Sequence, residues 1–249
     1  MFTVEQRDAL RDRILRLAHD DSRVVAGAAV GSLALGGGDR YSDLDLTFAI
    51  NAGNVNDVLD DWTRTLGDEL DAVPLVDLVR GGTTYRVFLL PDLLQFDLSM
   101  TPASEFRPAG PRFRLLFGEV APGDHPPAAS PAVGDVFGWG VIYALHANSC
   151  AQRGRMWQAE HYAGAVRDHA LTLACLREGT VAVQARGYDD LSADTLQRFE
   201  ATHVAGLEAG AIRAALSAAV EALLREGRLA GVERTDAVSE RLAELLAYR

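Results

Sequence analysis

Two aspartates a single residue apart, Asp43 and Asp45, stand near the end of the stretch GAAVGSLALGGGDRYSDLDLTF (Gly27–Phe48), and a third, Asp97, stands in LLQFDLSM (Leu93–Met100). In both places the acids alternate with large apolar residues. Leu44, Leu46, Phe48 and Ile50 interleave with Asp43, Asp45 and Thr47, and Leu94, Phe96, Leu98 and Met100 interleave with Gln95, Asp97 and Ser99. Such alternation predicts strands with one apolar and one polar face, on which side chains two apart point the same way with α-carbons about 7 Å apart. Two carboxylates at that separation can converge on one divalent cation or bridge two, and a neighbouring strand can bring Asp97 alongside. Three oxygen ligands on strands suit Mg²⁺, which favours carboxylates, waters and substrate phosphates over a closed protein cage. Asp77 in LVDLV also alternates with apolar neighbours and is the alternative third acid.

Gly31-Ser32 supplies what carboxylates lack. Glycine lets the backbone approach a phosphate closely, and a serine hydroxyl with adjacent N–H groups can donate to it. A phosphate grip, metal ligands and a third carboxylate are the parts needed for in-line displacement at a nucleotide phosphorus. Taken singly, an acid pair before a strand is usually a solvated edge and a glycine-rich segment is usually a turn. It is their combination at one spacing that points to chemistry.

Gly31-Ser32, ten intervening residues and then Asp-Leu-Asp-Leu, with a later strand aspartate, resembles the signature of the DNA polymerase β-like nucleotidyltransferase superfamily over about residues 23–100. The resemblance implies that Gly31 and Ser32 bind a nucleoside triphosphate and that Asp43 and Asp45 hold two Mg²⁺ ions. Asp97 then completes the metal site and serves as base, its place in the last strand before the domain boundary matching the family order. The helical second half is similar to the antibiotic-modifying branch, the aminoglycoside and lincosamide nucleotidyltransferases. There RGRMWQAEHYAGAVRDHALTLACLREG (Arg153–Gly179) corresponds in character to the acceptor-side helix. Trp157, Glu160, Tyr162, Arg167, Asp168 and His169 are its polar or aromatic residues for a cleft. Glu160 and Asp168 are the candidates to face a cationic or polyhydroxyl acceptor, and Arg167 to meet phosphate or an acid; a surface ion network is the competing reading. His146, His161 and His169 read as polar helix residues, since no Cys/His set has zinc spacing.

The elements expected to position these residues are a helix over 4–20, strands over 23–31 and 42–50, and a helix over 54–70 capped by Asn54. Strands in VPLVDLV, TYRVFLL and LLQFDLSM follow, the first two joined by a hairpin at Gly81-Gly82. Residues 121–135 hold four of the nine prolines and no element pattern, which puts a boundary there. Helices are then expected over 136–152, 156–178, 193–207, 211–226 and 235–247, with Gly179 and Gly227 as C-terminal caps and Ser192 as an N-cap. The expectation is an α+β/α/β domain with a mixed sheet over 1–125, followed by an all-α helical bundle over 126–249.

Net charge is −11, and all 24 basic residues are arginine. That balance argues against duplex nucleic acid as the main partner, because duplex binding needs basic surface to displace counterions. It is compatible with a cationic acceptor. Residues 1–130 carry 20 of the 35 acids against 12 arginines, so the excess acidity lies with the strand-rich half. No apolar run reaches the roughly 18 residues of a membrane span, and the charged N-terminal helix does not read as a signal peptide. Two cysteines make no disulfide framework, so a reducing cytoplasmic setting is expected. Together these readings predict a cytoplasmic enzyme, monomer or homodimer, transferring AMP from ATP to a hydroxyl of an aminoglycoside-like small molecule. Transfer onto a protein, as in antitoxin-type modules, and a non-catalytic nucleotide-binding regulator are the alternatives.

Overall fold

The chain's first helix, α1 (Val4–Asp20), starts on a reciprocal cap: Gln6 N–H donates to Thr3 Oγ1 (3.2 Å) and Thr3 N–H to Gln6 Oε1 (2.7 Å). In the computed structural model, residues 2–36, 38–51, 54–108, 110–123 and 130–246 are described. Contacts divide the chain into two compact units, Met1–Ala128 and Ala129–Arg249. The expected boundary at 125/126 lies outside the described residues.

The first unit is a six-stranded mixed sheet. Its strands are β1 (Val24–Val30), β2 (Leu44–Ile50), β3 (Val73–Arg80), β4 (Thr83–Leu89), β5 (Gln95–Pro102) and β6 (Phe113–Phe117), in the order β3-β4-β5-β2-β1-β6. Only β2 and β5 run parallel; every other pair is antiparallel. The β3–β4 hairpin turns at Gly81, whose φ of 58° is cheap for glycine. Strand β6, pairing with β1, was not expected from the sequence, so β5 is not the last strand of this unit. Helices α1 and α2 (Val55–Leu70) cover one sheet face. Leu10, Ile14, Leu59, Trp62 and Leu66 bury Leu44, Leu46, Phe48, Phe96 and Leu98. Because side chains alternate along a strand, the odd-numbered Asp45 and Asp97 point away from that core.

Asp21 ties the end of α1 to β1 and α2. Its carboxylate accepts from Arg23 Nε (2.9 Å), Arg23 Nη2 (2.8 Å) and Trp62 Nε1 (2.9 Å), while Arg23 Nη1 reaches Asp61 (2.7 Å). The Arg23 guanidinium first, then the Trp62 N–H, hold the Asp21 carboxyl down at about 2. A group ionised more easily folded than unfolded stabilises above its unfolded pKa, and that contribution fades as pH falls through the folded value. Asp21→Asn is therefore expected to cost about 1–2 kcal/mol at pH 7, allowing for solvent screening. The gap to wild type should narrow from pH 4 towards pH 2. Urea unfolding of both proteins at pH 7, 4 and 2.5 checks it; a pH-independent gap would refute the assignment.

The second unit is helical: α3 (Val133–Gln152), α4 (Met156–Glu178), α5 (Ala193–Gln197), α6 (Ala209–Leu229) and α7 (Thr235–Leu246). Alanines 144, 147, 163, 170 and 174 let α3 and α4 approach closely around Phe137, Val166, Leu173 and Leu223. Buried Glu226 accepts from Arg177 Nε (2.9 Å) and Arg225 Nε (3.2 Å), which links α4 to α6. Cys150 and Cys175 are buried and free. Among the described residues no helix is long and apolar enough to cross a membrane.

Two expectations here are corrected. The helix expected over 193–207 is only α5 followed by a tight turn at Glu200–Thr202. There the buried Thr202 hydroxyl donates back to Phe199 O (2.5 Å), a local bond that competes with helix propagation. Gly227 is not a cap but lies inside α6, where a Cβ would come within 2.6 Å of the Phe137 ring. Gly179 does cap α4, in the left-handed conformation with φ 74°. Ser192 stands at the N-cap of α5, yet its hydroxyl bonds Glu178 and Thr195 rather than the helix's amides.

Candidate functional site

Parallel pairing of β2 with β5 sets Asp45 directly opposite Asp97. Asp43 joins them, so that carboxylate oxygens of the three residues all lie within 4.8 Å of one another, each side chain half-buried. Among the described residues no other group of His, Cys, Asp and Glu comes together in this way. The route to the cluster differs from the expected one. Asp43 precedes β2, which begins at Leu44, so a loop and not the pleat brings it to Asp45.

Gly31 and Ser32 open a tight 3-10 turn, Gly31–Leu35, directly after β1. Gly31 has φ 69° and lies against the Asp45 carboxylate, where a Cβ would collide with it. Only glycine satisfies both conditions. Ser32 Oγ is buried and makes no hydrogen bond. An orphaned buried hydroxyl costs free energy unless something accepts from it or donates to it. Its chain neighbour Gly31 is the residue that meets the Asp45 carboxylate.

Burial, and after it the neighbouring charge of Asp43, raises the Asp97 carboxyl above its ordinary value, while the Gln95 amide, donating to Oδ1 at 2.8 Å, pulls the other way. Like charges that cannot separate favour protonation or a cation between them. Asp77, the alternative third acid, is on β3 and forms a two-pronged pair with Arg86 (2.7 and 2.6 Å), which also binds Asp60 (2.8 Å). Asp77 is thus bound to Arg86, and it is Asp97 that stands together with Asp43 and Asp45.

The acceptor candidates lie on α4. Arg167 Nε and Nη2 donate to the adjacent Asp168 Oδ1 (3.0 and 2.9 Å), so each offsets the other's charge. Glu160 is half-buried, and its carboxylate forms no ion pair with either and no hydrogen bond among the described residues. Tyr162 stacks on Tyr143 of α3, centroids 5.8 Å apart, and His169 sits edge-on to Tyr143 with Nδ1 on Ala165 O (2.8 Å). His146 and His161 contact the Tyr162 ring, and Trp157 is exposed.

One residue at this site escaped sequence reasoning. Arg7 is almost fully buried, and its guanidinium Nη1 donates to the carbonyls of Asp39 (2.6 Å) and Ser42 (3.0 Å), in the loop before Asp43. The available signal was its position: Arg7 shares a helix face with Leu10, Ile14 and Ala18, an unusual place for a charge.

No protein-family model matches the chain, and no curated protein matches it. Among solved structures it is similar to an aminoglycoside 6-adenyltransferase from Bacillus subtilis. Identity is 11% over 95% of this chain and 97% of that one, and the TM-score is 0.41.

Proposed function

We propose that the chain is a Mg²⁺-dependent nucleotidyltransferase that moves a nucleoside monophosphate, AMP from ATP, onto a hydroxyl of a small molecule. The observation that carries this reading is the convergence of Asp43, Asp45 and Asp97 beside Gly31 and the unsatisfied hydroxyl of Ser32. The donor set is all carboxylate oxygen, which fits a hard divalent ion and not a soft one. Bound there, two Mg²⁺ ions would neutralise charge on the triphosphate.

In this reading Asp43 and Asp45 hold the ions, and Asp97 is the third ligand. Ser32 Oγ donates to a phosphate oxygen, and Gly31 leaves the backbone open to it. Asp97 takes the proton of the acceptor hydroxyl as that oxygen bonds to the α-phosphorus. The bond to the β-phosphate oxygen breaks, and pyrophosphate leaves with the electron pair.

The proposed acceptor is aminoglycoside-like. Net charge of −11, its excess in the strand-rich half, favours a polycation. On α4 Glu160 is the stronger candidate for a cationic group, because Arg167 already offsets Asp168. Free, buried cysteines accord with a reducing, cytoplasmic setting.

Pyrophosphate release from each of the four NTPs with Mg²⁺ tests the proposal, against a panel of aminoglycosides and lincosamides. Release that depends on one drug class is the expected result. Nucleotide binding without release for any drug would refute drug modification; release only on adding a protein acceptor would turn the reading to a protein-modifying enzyme.

A further inference from the structure

Asp43 needs an explanation that its neighbours do not. Asp45 and Asp97 are held by paired strands, whereas Asp43 sits at the end of a loop that begins with Gly36, at φ 73°, and includes Gly38. Glycines give a chain more conformational freedom than any other residue, so a loop of this composition does not hold a carboxylate in one place by itself.

The second half of the loop is closed by its own side chains. Asp39 Oδ1 accepts from Tyr41 N–H (2.8 Å) and from the Ser42 hydroxyl (3.1 Å), and Asp39 N–H donates to Ser42 Oγ (3.0 Å). That makes a compact four-residue turn ending one residue before Asp43. Closing the turn on itself does not anchor it to the rest of the fold. Arg7 supplies an anchor by donating from Nη1 to the carbonyl at each end of the turn, Asp39 O and Ser42 O.

The chemistry of Arg7 makes the hold costly to release. The side chain is 4% exposed, its one ion pair among the described residues is with Asp8 at 3.9 Å, and its Nε has no hydrogen-bond partner. Among the described residues the loop carbonyls are therefore the main acceptors for a buried cation, and letting the loop go would strand the guanidinium. The other buried residues of α1, Leu10, Ile14 and Ala18, pack in the core, which fixes where Arg7 stands.

We propose that Arg7 is a positioning residue for the acid cluster: it pins the Asp39–Ser42 turn to α1 and so fixes the Asp43 carboxylate beside Asp45 and Asp97. The role rests on the reading of those acids as a metal site. Arg7 acts through the loop it holds.

The test is Mn²⁺ binding, followed by the loss of its free EPR signal, to wild type, Arg7→Met, Arg7→Lys and Ile14→Val. Ile14→Val thins the core under the same helix without touching the loop. Each protein is measured well below its own melting transition, and amide exchange is followed over residues 39–45 without metal. Arg7→Met is expected to raise the Mn²⁺ Kd about tenfold or more, as loss of an outer-shell partner does. Its amides at 39–45 should exchange faster. Arg7→Lys, keeping the charge without the planar fork, should fall between, and Ile14→Val should match wild type. A wild-type Kd in Arg7→Met, or an equal rise in Ile14→Val, would overturn the role of Arg7 alone. Absence of Mn²⁺ binding by wild type would overturn the metal-site reading itself, and the role with it.

Discussion

Asp45→Asn is expected to lower acceptor-dependent pyrophosphate release by about 10³-fold or more, the several kcal/mol that bound metal contributes to stabilising transition-state charge. The fold should hold or gain stability. Asparagine keeps the shape and one acceptor oxygen at a position locked in register with Asp97, but it removes one of three negative charges gathered within 4.8 Å. Half-buried like charges at that distance repel by about 1 kcal/mol or more per pair in water-rich surroundings. Relief of that repulsion opposes any loss of hydrogen bonding. Wild type should therefore melt higher on adding Mg²⁺, by the linkage between binding and stability, and the variant should not. Melting curves with and without Mg²⁺, run beside the pyrophosphate assay, separate a lost ion site from a damaged fold. Retained release, or equal Mg²⁺ stabilisation in both proteins, would remove Asp45 from the proposed site.

Much of this arrangement is legible in the sequence. Alternation in β2 and β5 is unambiguous because each apolar partner packs under α1 or α2, so the odd positions had to face away. The long helices α3, α4 and α6 declare themselves by length and by glycine or loop chemistry at their ends. Strand β6 did not, because its exposed Arg114 and Leu115 show no alternation, and its pairing with β1 is a long-range event that local sequence does not encode. Asp43 was expected in a strand because alternation continues through it; the strand begins only at Leu44, and the tertiary bond from Arg7 to the preceding turn is not encoded in the local pattern. Asp77 and Asp97 look alike in sequence, each an acid between apolar residues. What separates them is a partner, Arg86, on the neighbouring strand.

Gly31→Ala is expected to reduce activity almost as far as Asp45→Asn, about 10²-fold or more, whereas Gly36→Ala should leave it near wild type. The two glycines pose the same backbone problem, with φ of 69° and 73°, so alanine at either costs about 1–2 kcal/mol of left-handed strain. They differ in what a methyl group meets. Among the described residues nothing beyond its chain neighbours lies within 4 Å of a Cβ at Gly36, while at Gly31 it enters the space of the Asp45 carboxylate. Asp45 cannot retreat along its strand, since β1 and β5 pair with β2 on both sides, so the side chain must rotate away from Asp97 and Asp43. A displacement of about 1 Å at a reacting centre is enough for a loss of that size. Melting temperatures should fall alike in the two alanine variants, and only their activities should diverge. Combining Gly31→Ala with Asp45→Asn should then add little to either, because both act through one carboxylate and coupled sites are not additive. Equal activity of the two alanine variants would mean that the approach of Gly31 to Asp45 has no part in the chemistry. Full additivity in the double variant would mean that Gly31 serves the phosphates directly and not through Asp45.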